Sequence, residues 1–198
     1  MKNLIVYYTL VRHGGIKMNL YVTDSEFMER FEHFAFEEVP NEEGQQLDDN
    51  TRYMAVLAAL IGCQGMEEYR LVLPRALDAG LTPIAVKEIV YQAVAYLGIG
   101  RVLPYLKAAN YILESRGIEL PLEGQCTTTL ENRLEKGIQV QADIFGGHMK
   151  EAWKAGHINR WLAANCFGDY YTRTGLDLAQ REMITFCFLA AQGGCEPQ

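Results

Sequence analysis

Residues Leu71 to Asn110 read LVLPRALDAGLTPIAVKEIVYQAVAYLGIGRVLPYLKAAN, and their pattern decides the fold class. The run divides into a helix, a sharp turn, a second helix, a break and a third helix. Gly80 suits the position just past a helix end, where a left-handed backbone carries no Cβ penalty. Thr82 is placed to cap the next helix, with Pro83 at the first helical position, where its missing N–H is not needed. Ile84, Ile89, Val90, Ala93, Val94 and Leu97 then recur at helical spacing and make one broad apolar face. Gly98 and Gly100 end that helix, and a further one is expected from near Val102.

Outward toward the N-terminus, Asp48 to Asn50 are expected to cap a helix reaching about Ile61. Thr23-Asp24-Ser25-Glu26 has the form of a capping box opening a helix to about Phe36, with Phe27, Phe31, Phe34 and Phe36 expected as packing residues. Lys2 to Val11 is rich in β-branched and aromatic residues and reads as a short strand within an N-terminal extension. Outward toward the C-terminus, Gly117 to Gly124 is a linker with two glycines and a proline. Helices are expected from Thr127–Thr129 to Phe145, over Met149–Lys154, over Asn159–Tyr170 and over Ala179–Gln192.

An offset of 129 residues aligns Leu47–Tyr69 with Leu176–Gln198. Leu47, Asp48, Arg52, Met54, Leu60, Gly65 and Glu67 then coincide with Leu176, Asp177, Arg181, Met183, Leu189, Gly194 and Glu196. The reading is an N-terminal extension (1–22), a first repeat (23–116), a linker (117–126) and a partial second repeat (127–198), shortened at its C-terminus. The helix over 179–192 is apolar nearly all round and is expected to be covered by the first repeat, by another subunit in a homo-oligomer, or by residues absent from this chain.

The bulk properties narrow the function classes. A formal charge of −7 over 198 residues offers no basic face for nucleic acid. No apolar run approaches the about 20 residues that span a bilayer. Five cysteines, without Cys-x-x-Cys or disulfide-scaffold spacing, fit a reducing cytoplasm and no structural zinc.

Ala76-Leu77, Gly80, Thr82, Lys87-Glu88-Ile89, Gln92, Tyr96 and Gly98 together resemble the core signature of the carboxymuconolactone decarboxylase family, which includes alkylhydroperoxidase-D-like peroxidases. The resemblance implies an all-α helical bundle, assembly as a trimer or hexamer, a small-molecule substrate, and no metal or organic cofactor. The peroxidase branch implies a Cys-x-x-Cys pair with an upstream glutamate and a downstream histidine. Here the pair survives only in pieces, Cys63-Gln64-Gly65-Met66 and Gln192-Gly193-Gly194-Cys195. A thiol peroxidase would therefore work with the single Cys195, assisted by Glu182. The decarboxylase branch implies cationic groups that hold a carboxylated lactone and an acid or base that manages the proton. Arg70, Arg75, Arg101, Arg173, Arg181 and His148 are the cationic candidates, and His148 with Glu196 the acid–base pair. Arg52 and Arg181 also read as helix-surface residues paired with nearby acids, and Cys166 and Cys187 as buried structural thiols. A non-catalytic oligomer that binds a small molecule or another protein is the third class left open.

Overall fold

The computed structural model describes residues 11–13, 16–18, 20–44 and 46–195. They fall into two compact units, residues 1–49 and 50–198. The segments read from the sequence as linker and partial second repeat thus lie in one unit with most of the first repeat.

In the first unit, β1 (Val11–His13) and β2 (Ile16–Met18) pair antiparallel, with Arg12 opposite Lys17. The strand expected over Lys2–Val11 lies outside the described residues except for Val11. Two helices follow, α1 (Leu20–Thr23) and α2 (Ser25–Glu32), continued by a π-turn over His33–Glu38. The capping box does not form: Asp24 is the N-cap of α2, and its side chain makes no cap hydrogen bond. Nor are the phenylalanines core residues, since Phe27 and Phe34 are 68% and 57% exposed. Phe27 and Phe31 instead stack on each other, one helical turn apart, with centroids 6.4 Å apart.

The second unit is all helical among its described residues. Its elements are α3 (Asp49–Gly62), α4 (Met66–Asp78), α5 (Pro83–Leu97), α6 (Ile99–Ser115), α7 (Arg133–Phe145), α8 (His157–Trp161) and α9 (Leu178–Gln192). The expected helix over Asn159–Tyr170 is α8 followed by a π-helical stretch, Leu162–Tyr171. Thr82 caps α5 as its position demanded, accepting from the Ala85 N–H at 3.1 Å. Asp177 and Gln180 close a full capping box on α9.

α5 is the central element. Val86, Ile89, Val90 and Ala93 are at most 1% exposed, and the helix packs against α6 and α9. Burying such side chains is worth about 1.5–3 kcal/mol each for the larger ones. α3 and α9, the helices related by the 129-residue offset, lie backbone to backbone: a Cβ on Gly62 would come 2.5 Å from the Phe188 carbonyl oxygen. α9 is therefore covered on that side, while Phe186 on its opposite side remains 72% exposed.

Candidate functional site

Glu88, Gln92 and Tyr96 recur every fourth residue, so they share one face of α5. That face meets α9 and the end of the π-helical stretch, and each polar group finds its partner there. Arg173 grips Glu88 with three hydrogen bonds of 2.8–3.0 Å, from Nε to both carboxylate oxygens and from Nη2 to Oε1. Arg181 adds Nη2 to Glu88 Oε2 at 3.1 Å and Nη1 to Gln92 Oε1 at 2.9 Å. Gln92 Nε2 then donates to the Arg181 carbonyl and to Thr185 Oγ1, both at 2.8 Å. The Tyr96 and Tyr171 hydroxyls meet at 2.9 Å, which completes a polar ladder through an otherwise apolar interface.

Local backbone geometry makes this possible. Gly175 has φ +89°, and a Cβ there would stand 2.7 Å from Ile84 Cγ2 and 3.1 Å from Glu88 Cγ. Only glycine lets the chain after the π-helical stretch lie that close to α5, which brings Arg173 within reach of Glu88.

The two guanidiniums shift in opposite directions on the same carboxylate. Hydrogen bonding to Glu88 raises Arg173, whereas burial is the larger effect on Arg181 and lowers it. Both stay protonated near neutrality, because guanidinium starts so far above that range. Arg181 is thus not the surface residue expected from the sequence. Its side chain is 1% exposed, with Nη1 donating to Gln92 and Nη2 to Glu88 and the carbonyls of Arg173 and Thr174.

Two cavities flank the ladder. The first, of about 340 Å³, opens between α5, α6 and the 120–125 segment, with Arg173 and Glu88 in its wall. Lys87 lines it and is only 9% exposed. Its Nζ is held by the neutral Asn110 Oδ1 at 2.5 Å and lies 5.2 Å from the centre of the Tyr91 ring. The Arg173 guanidinium lies 5.2 Å from the same ring, so Tyr91 is flanked by two cations.

The second cavity, of about 400 Å³, is lined by Glu182, Thr185, Phe186, Leu189, Gly193 and Cys195, among others. It brings together Cys195 and Glu182, the pair singled out for thiol chemistry. The Cys195 thiol donates to the Leu189 carbonyl at 3.1 Å. Behind this cavity, burial pushes Tyr171 up to about 12, with the nearby Glu182 carboxylate acting in the same direction. Burial likewise raises Tyr96 and the Cys166 thiol.

The remaining sequence candidates are scattered. His148 is exposed in the 3-10 segment Gly147–Ala155 and lines neither cavity. Glu196 lies outside the described residues. Arg101 shares a shallower depression with exposed Cys63 at the ends of α3 and α9. Lys87 and Tyr91 also line the first cavity, and no local sequence signal marks them as functional, although the motif itself contains Lys87. Among the described residues, no group of three His, Cys, Asp or Glu could hold a metal ion, and no helix is long and apolar enough to cross a membrane.

An all-α bundle whose central helix carries Glu, Gln and Tyr at four-residue spacing defines the class. Residues 25–111 match the carboxymuconolactone decarboxylase family. Lys87, Glu88, Tyr91 and Asn110 fall inside the matched residues, while Arg173, Glu182 and Cys195 fall outside them. No curated protein matches the chain.

Proposed function

We propose that the cavity at Lys87 binds the carboxylate of a small molecule, and that the chain acts on it by cofactor-free acid–base chemistry of the lactone decarboxylase type. One observation carries this reading. Lys87 is a nearly buried ammonium at a cavity wall whose hydrogen-bond partner, Asn110, carries no charge. A desolvated charge without a counter-ion is costly, and an anionic ligand removes that cost. Arg173 stands beside it as the anchor, because its planar donors suit a carboxylate. On loss of carbon dioxide, the bonding electron pair stays on the substrate carbon, which takes a proton from the Lys87 ammonium. Water then returns the proton to the amine.

The test is binding and carbon dioxide release with a five-membered lactone bearing a carboxylate, comparing wild type with Lys87→Met. Loss of turnover with at least about tenfold weaker binding is expected for one lost charge-assisted contact. Equal binding by both proteins would remove the reading. Binding to wild type without turnover would leave a small-molecule-binding member of the family.

A second reading has its own support in the shared cavity of Cys195 and Glu182. Thiolate attack on a hydroperoxide would give sulfenic acid and an alcohol, with Glu182 passing a proton to the leaving oxygen. Two external thiols would then restore the cysteine, releasing water and a disulfide. Among the described residues, those that line this cavity include no cation to favour a thiolate, so the first reading takes precedence. The exposed Phe186 supports the expected homo-oligomer.

A further inference from the structure

We propose that the ligand of the Lys87 cavity is a zwitterion, with a carboxylate at one end and an ammonium group at the other. This rests on the carboxylate-binding reading and adds its second half. The cavity is lined by charges of both signs: Lys87, Arg173, Glu88, Glu114 and Glu123. Glu88 is shared between Arg173 and buried Arg181, so the three together keep one net positive charge. Two positive charges and two carboxylates therefore border the cavity.

These opposite charges are not paired with each other. Lys87 is turned to Asn110, Arg173 is engaged with Glu88, and neither Glu114 nor Glu123 has an ion-pair partner among the described residues. Their positions also differ. Lys87 and Arg173 meet at the Tyr91 ring. Lys87 is nearly buried, whereas Glu114, one turn beyond Asn110 on α6, and Glu123, on the 120–125 segment, are exposed. An amino acid can satisfy both ends at once. A dicarboxylate of the same length would set its second carboxylate against Glu114 and Glu123, where like charges repel.

Calorimetric titration of the intact chain with matched series decides this. The probes are ω-amino acids, α,ω-diacids and simple monocarboxylates of three to six carbons, at low salt so that exposed charges are little screened. The best ω-amino acid should bind at least about tenfold more tightly than its matched diacid. Glu114→Gln with Glu123→Gln should bring the two together, with the amino acid losing its advantage over the diacid. Monocarboxylates that bind through Lys87, with no gain from the amino group, would overturn the zwitterion and keep the carboxylate reading. A diacid that outcompetes the amino acid would do the same. If no member of any series binds, both fall.

Discussion

Arg181 Nη2 lies 3.1 Å from Glu88 Oε2, and each side chain is 1% exposed. This buried pair joins α9 to α5 across an interface that also carries the Gln92–Thr185 bond. Removing one partner of a buried pair leaves an uncompensated charge, typically a loss of about 3–5 kcal/mol. Arg181→Leu should fall in that range by urea unfolding, because Gln92 Oε1 and two backbone carbonyls lose their donor as well. Arg173→Leu should lose less, since its side chain is 18% exposed and Glu88 keeps Arg181. Combining Arg181→Leu with Glu88→Leu should recover part of the loss, as coupled sites do. A strictly additive pair would mean that the two residues do not act as a unit.

Alkaline pH should weaken the fold through Tyr171. Burial holds its hydroxyl at about 12 against an ordinary 10.0. The native state therefore favours the protonated form. That contribution is complete below pH 10 and declines as pH rises through about 12. Within the window the slope for one such group is about 1.4 kcal/mol per pH unit. Urea midpoints followed from pH 8 to 12 should fall less steeply in Tyr171→Phe than in wild type. Identical slopes would assign the alkaline loss to other groups.

Most of the fold was legible because its signals are local. The Thr82-Pro83 cap and the α9 helix appear where the sequence placed them, since a capping oxygen and an apolar period need no distant partner. The family motif was legible as a pattern but not as chemistry. Its Glu88, Gln92 and Tyr96 become a ladder only when residues 75 to 93 positions away supply Tyr171, Arg173, Arg181 and Thr185. Arg181 reads as a surface arginine for the same reason: nothing local reveals that a carboxylate 93 residues earlier will bury it. Lys87 is not legible as a site residue, because a lone lysine on an otherwise apolar helix resembles a solvated residue until α6 brings Asn110 over it. The failed capping box at Thr23 shows the converse error, a local pattern that the backbone around Asp24 does not adopt.

The five cysteines should separate by reactivity, and the order tests the two cavities against each other. Cys63 and Cys126 are exposed, whereas Cys166 is buried and its thiol is pushed up. Cys195 is half-buried and lies just past the end of α9. Its thiol proton is engaged by the Leu189 carbonyl, and Glu182 lines the same cavity. A helix C-terminus carries partial negative charge, and the Glu182 carboxylate adds negative charge to the same cavity. Iodoacetamide labelling followed by mass spectrometry should therefore modify Cys63 and Cys126 first, Cys195 later, and Cys187 and Cys166, whose thiols burial pushes up, last. Glu182→Gln should speed the labelling of Cys195 by a few-fold, because it removes a repelling charge. Cys195 labelling first, and slowing in Glu182→Gln, would instead make Glu182 the base that activates it. Loss of hydroperoxide consumption in Cys195→Ser would then move the reaction from the Lys87 cavity to this one.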